Sequence, residues 1–214
     1  MTAPSDPAEA AVRAAFTRDG ASRDLLVAAA ERYLLAVFPG LIGLEQLWAH
    51  YHPGIGRTTD PLEHTLEVFA ELDLEGLDER DRRTLLWATL FHDVGKVRDP
   101  HSRAHARVSV DLARGPLERM EDNASVRHDA LRLVATHDLL GHFMQGHIDA
   151  QDLLGALDWD ARLLELHLRL AGADIRSIRG LRDIVPPSRL GAARVALERA
   201  LVQAAEHGGP AGAL

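Results

Sequence analysis

Residues 85–91 read LLWATLF, a helix-length stretch with no polar face, and it runs straight into His92 and Asp93. A helix that is apolar all round has to be surrounded by other elements. This one stretch therefore calls for a central helix inside a bundle. The composition agrees: Leu and Ala supply nearly a third of the 214 residues, while Val, Ile and Thr are sparse, a mix that favours helices over sheets. The expected fold is all-α, in a single domain of ordinary size.

Apolar periodicity and capping signals predict helices over 7–18, 23–37, 42–49, 61–72, 79–93, 103–119, 125–139, 150–157, 160–178 and 188–207. Asp60, Pro61 and Glu63 form an N-terminal signature in which Asp60 caps, Pro61 takes the first helical position and Glu63 completes a capping box. Asp78 is placed to cap the next helix, Gly95 to end it in a left-handed conformation, and Pro186 and Pro187 to break the pattern before the last. On this reading His92 and Asp93 extend the central helix. A carboxylate carried into the core costs several kcal/mol unless a cation or hydrogen bonds compensate it.

A helical wheel separates inward from outward polar residues. Asp174 shares a face with Leu163 and Leu170, and His137 aligns with Val126, Ala130 and Leu133. His128 points the other way. His64 borders the apolar face of Leu62, Leu66, Phe69 and Leu72, and His105 lies on a stripe with Ser109 and Leu112, one turn after His101. His and Asp residues facing inward from five helices are most simply explained as one metal site. Imidazole and carboxylate without sulfur suit one or two divalent ions among manganese, iron, nickel, cobalt, zinc and magnesium. The chain has no cysteine, which excludes disulfide frameworks, thiolate zinc sites and cysteine nucleophiles.

The segments HTLEV at His64, LFHDVGK around His92 and Asp93, HSRAHARVS at His101 and His105, LVATHDL at His137 and LAGADI at Asp174 resemble the signature of the HD-domain superfamily. The resemblance implies an all-α, metal-dependent phosphohydrolase fold. It also implies that His64, His92, Asp93 and Asp174 hold a first metal, with His105 and His137 supplying a second in dinuclear members and His101 competing with His105. Within the superfamily, HPGIGRTTDPLEHTLEV followed by HDVGK is similar to the HD domain attached to some bacterial CCA-adding tRNA nucleotidyltransferases. The chain has no room for their nucleotidyltransferase domain, so nucleotide addition is not expected.

The implied reaction is metal-assisted hydrolysis of a phosphate ester, with Asp93 and Lys96 catalytic. Lys96 is the only lysine among 24 basic residues, which points to a site wanting a compact ammonium. Lys96, Arg98, Arg103 and Arg107 crowd one segment and Arg57 precedes the first ligand helix, so Lys96, Arg57, Arg98 and Arg103 are the candidate phosphate-binding rim. A net charge of −8 disfavours extended contact with duplex nucleic acid. The expected substrate is a nucleotide, cyclic nucleotide or small phosphorylated metabolite. The same ligand set leaves two alternatives open: an HD-type di-iron oxygenase, and an inactive ligand-binding HD module.

Residues 1–50 are expected to form flanking helices packed on the same domain, covering the site or building a homo-oligomer face. Residues 51–180 form the HD metal-binding core, 181–207 a C-terminal helix and 208–214 a disordered tail. The first ten residues lack a leader's basic and apolar regions, and the longest uncharged stretch, 33–44, falls well short of the ~20 residues a membrane span needs. A cytoplasmic location without membrane contact is the expectation.

Overall fold

The computed structural model describes residues 6–43, 60–98 and 104–207. Among them are eleven α-helices: α1 (Pro7–Thr17), α2 (Arg23–Val37), α3 (Pro61–Glu71), α4 (Glu79–Phe91), α5 (His105–Met120), α6 (Ala124–Thr136), α7 (Leu139–Met144), α8 (Ala150–Ala156), α9 (Ala161–Ser177), α10 (Arg179–Ile184) and α11 (Pro187–Glu206). The described residues contain no strand, so the fold is all-α.

Helix α4 is the axle. Every residue from Thr84 to Phe91 is buried, and α4 packs against α1, α3, α5, α6 and α9, as its all-apolar sequence requires. The N-terminal helices contribute aromatic anchors to it. Phe16 of α1 meets Trp87 edge-on, with ring centroids 4.6 Å apart, and Tyr33 of α2 stands perpendicular to Phe91 at 5.9 Å. Such pairs add about 0.5–1.5 kcal/mol each beyond their buried area. A partly exposed ion pair then ties α1 to α5, where Arg119 donates to Glu9 Oε1 at 2.5 Å.

Local signals fix most helix ends. Asp60 Oδ1 accepts the Glu63 amide at 2.8 Å, with Pro61 at the first helical position. Asp78 Oδ1 accepts the Asp81 amide at the same distance. Two expectations fail here for stateable reasons. The central helix stops at Phe91, with His92 as its C-cap and Asp93 at φ −113°, ψ 4°, rather than continuing to Asp93. Gly95 lies in a 3-10 turn, Val94–Val97, and is not among the positive-φ glycines. Its requirement is close approach: a side chain there would run into the His105 carbonyl oxygen and stand 2.6 Å from the Ser109 amide. The Gly95 amide donates to Ser109 Oγ at 2.8 Å, clamping the turn onto α5.

The predicted helix 125–139 stops earlier, at Thr136 with His137 as the C-cap of α6, and α7 and α10 were not anticipated. The predicted helix 42–49 does not begin at Ile42, which adopts an extended conformation after a 3-10 turn; its remainder lies outside the described residues.

Candidate metal centre

Six side chains from five helices meet at the C-terminal end of α4. They form two groups whose candidate ligand atoms lie within 4.8 Å of one another: His64, His92 and Asp174, and Asp93, His105 and His137. His64 comes from α3, Asp174 from α9 and His105 from the first residue of α5. His92 and His137 occupy equivalent places, each the first residue beyond its helix. His64, His92, Asp93 and His137 are buried, while the Asp174 side chain keeps 20% exposure and marks the open side.

Asp93 joins the two groups. Its Oδ2 is 3.6 Å from both His64 Nε2 and His92 Nε2. Its Oδ1 is 3.3 Å from His105 Nε2 and 3.6 Å from His137 Nε2. The bend at the end of α4 makes this possible, because leaving helical geometry at Asp93 turns its carboxylate between the imidazoles instead of up the helix.

The far side of three imidazoles settles their tautomers. His92 Nδ1 is 2.8 Å from the Thr89 carbonyl and His137 Nδ1 is 2.8 Å from the Val134 carbonyl, so both carry the proton on Nδ1. Ser177 Oγ donates to the Asp174 carbonyl at 2.6 Å and is left to accept from His64 Nδ1 at 3.3 Å. His64 and His92 held this way aim Nε2 lone pairs inward, where His64 Nε2 meets Asp174 Oδ1 at 2.9 Å and His92 Nε2 meets His64 Nε2 at 3.5 Å. His105 Nε2 lies 3.0 Å from His137 Nε2. Buried Asp93 Oδ1 and Asp174 Oδ1 receive no well-directed hydrogen bond. Acceptors facing acceptors in a buried space repel unless a cation lies between them. The donor set of imidazole and carboxylate therefore fits a divalent ion.

The electrostatics agree. Burial alone would raise the Asp93 carboxyl, but the Lys96 ammonium and the surrounding imidazoles hold it well below the usual carboxylate range. Burial would likewise raise Asp174, and contact with His64 outweighs it and lowers it. Burial pushes His92 down to about 4. His137 goes the other way: burial opposes its charge, yet the Asp93 carboxylate raises it to about 9. In the metal-free protein a proton on His137 thus offsets part of the carboxylate charge, the role a cation takes over with release of that proton.

Of the candidate phosphate-binding residues, Lys96 is buried and its Nζ lies 2.5 Å from Asp93 Oδ2, deeper than a rim position. Arg98 is exposed at the end of the 3-10 turn, and Arg107 is exposed on α5. Arg57, Arg103 and His101 lie outside the described residues. His128 is exposed, in line with its outward phase. His167 is fully buried one heptad before Asp174, but neither ring nitrogen has a hydrogen-bond partner. It does not bond to the ligand set. Sequence reasoning missed Ser177 and the Gly95–Ser109 clamp. Ser177 was within reach, since it follows Asp174 by three residues on the same helix face.

Fold and site together define an all-α protein with a His/Asp cluster capable of holding divalent metal. The family model of the HD domain matches residues 62–178, more than half of the chain, and the chain belongs to that family. HD domains are typically metal-dependent hydrolases of phosphate esters, and this chain carries the metal-binding cluster in the matched region. Comparison with curated proteins and with solved structures found no match.

Proposed function

We propose that the protein is a divalent-metal-dependent phosphohydrolase whose substrate is a nucleotide, a cyclic nucleotide or a small phosphorylated metabolite. The observation that carries this reading is the convergence of the Nε2 atoms of His64, His92, His105 and His137 on Asp93 and Asp174, with the Lys96 ammonium beside them. His64, His92, Asp93 and Asp174 would hold a first ion, and Asp93, His105 and His137 a second. A divalent ion there supplies Lewis acidity and lowers the pKa of water toward neutrality.

The chain's own residues do the rest. Asp93 orients both halves of the site through its two oxygens. Lys96, on the same carboxylate, places positive charge where phosphoryl oxygens gather negative charge in the transition state. Arg98, exposed at the end of the 3-10 turn, extends that field outward to draw in an anionic substrate, and Arg57 and Arg103 are proposed for the same role from their places in the sequence alone. The partly exposed Asp174 lies on the side from which substrate enters. A chain of net charge −8 suits a small anion drawn to a local basic patch better than a nucleic-acid duplex.

The test is a panel of phosphomonoesters, phosphodiesters, nucleotides and cyclic nucleotides assayed with manganese, nickel, cobalt and magnesium. The expected result is metal-dependent release of phosphate or nucleotide from at least one class, lost in Asp93→Asn. Metal-loaded protein that hydrolyses none of them would overturn the proposal.

A further inference from the structure

A second pair of imidazoles lies outside the cluster, on the surface turn that ends α7. His142 belongs to the last turn of that helix and His147 follows it. Their rings are 5.7 Å apart between centroids, and the two Nδ1 atoms face each other at 3.4 Å. The backbone enforces this approach. The His147 amide donates to the His142 carbonyl at 3.0 Å, and the Gly146 amide donates to the Phe143 carbonyl at 3.0 Å, with Gly146 at φ +73°. This is the left-handed helix terminator in which the chain folds back over its last turn, and it holds residue 147 beside residue 142 whatever their side chains do.

On its other side His142 faces Asp138, whose Oδ2 is 3.7 Å from Nε2, beyond a hydrogen bond but near enough to put a negative charge behind the ring. A nitrogen pair at 3.4 Å is longer than a good N–H hydrogen bond. It does match the bite of a chelate: two imidazole nitrogens ~2.0–2.1 Å from a tetrahedral zinc lie about 3.3–3.4 Å apart.

We propose that His142 and His147 form a separate, solvent-facing site for a borderline transition ion such as Zn²⁺ or Cu²⁺, bound through both Nδ1 atoms with water completing the shell. Asp138 stands behind His142 as a nearby negative charge that favours a bound cation. With two neutral nitrogens and no carboxylate among its ligands, the site rejects Mg²⁺ and Ca²⁺, which take oxygen ligands. It also binds more weakly than the buried cluster.

The test compares the full chain with the His142→Ala/His147→Ala variant, using His207→Ala as a control for a lone surface histidine. Equilibrium dialysis against Zn²⁺ should show wild type binding one more ion per chain than the double variant, with His207→Ala like wild type. Each single variant should weaken that binding step at least tenfold. The copper electron paramagnetic resonance spectrum of wild type should contain a component with splitting from two nitrogens that the double variant lacks. Equal zinc counts in wild type and double variant, or a lost copper component with a single nitrogen, would overturn the chelate. Both side chains are partly exposed, and unchanged circular dichroism and thermal unfolding would show that the variant keeps its fold.

Discussion

Helix α4 touches two buried charged clusters that differ in wiring. Near its start, Glu121 accepts from Arg83 through both the Nε, at 3.0 Å, and an Nη. The same carboxylate accepts from Trp87 Nε1 at 2.9 Å and from the Asn123 amide at 2.8 Å. Every contact there pairs a donor with an acceptor. At the other end of α4, the Nε2 lone pairs of His64 and His92 face the oxygens of Asp93 and Asp174, and the Lys96 ammonium and the proton on His137 offset only part of the charge. The first cluster is complete as folded and holds α4 to α5. The second is complete only with a cation, which is how a structural ion pair and a metal site can be told apart without a ligand in view.

The sharpest way to break this contrast is to remove one charge from each cluster. Asp93→Asn should abolish metal uptake at the joint site and cut turnover by at least about a thousandfold, roughly 4 kcal/mol of transition-state stabilisation. Its metal-free fold should also lose stability in a urea titration, because Lys96 keeps a buried ammonium whose carboxylate partner is gone. Glu121→Ala should lose about 3 kcal/mol of stability because Arg83 and Trp87 keep buried donors without an acceptor. Metal content and turnover per folded molecule should be unchanged. If both variants lost stability and neither lost metal, the two clusters would be of one kind.

Chelation applies the same contrast to the wild type. Removing metal held at a hundred times its dissociation constant should cost about 2.7 kcal/mol of stability, seen as a lower unfolding temperature. Glu121→Ala should show the same chelator-induced drop from its lower starting point, since its own cluster holds no ion.

A smaller effect concerns His167, the buried imidazole that belongs to neither cluster. Burial, with some help from His137, pushes it from 6.5 down to about 4. Above pH 6.5 it is neutral in both the folded and unfolded chain and contributes no pH dependence. As the pH falls from 6.5 toward 4 the unfolded chain takes up a proton that the folded chain refuses, so stability falls. His167→Leu should flatten that slope and add about 1 kcal/mol at neutral pH by removing two unpartnered nitrogens. Urea unfolding at pH 7.5 and 5.0 checks this, and an unchanged slope would contradict it.

What could be read in the sequence depended on whether the cause was local or tertiary. Caps and periodicity are local, so α2 has the expected bounds of Arg23–Val37 and Asp60 and Asp78 cap as their positions require. Inward phase is also legible, and it brought His64, His137 and Asp174 to the same place. The end of α4 was not legible. Nothing in LLWATLFHD stops a helix, and the stop arises because Asp93 is drawn toward imidazoles from α3, α5 and α6. Gly95 carried a clear local reading that was wrong, since its constraint comes from α5, ten and more residues away. The helices α7 and α10 are short, with six residues each, too few for a periodic pattern to stand out.

The most direct test of the metal assignment is a manganese titration of the metal-depleted His142→Ala/His147→Ala protein, following bound ions and phosphoester turnover together. The account predicts activity rising with occupancy to two ions per chain, and His137→Ala in the same background stopping at one. Full activity at one equivalent, with His137→Ala retaining all its metal, would contradict the second position. Turnover that survives complete metal depletion would contradict the centre itself.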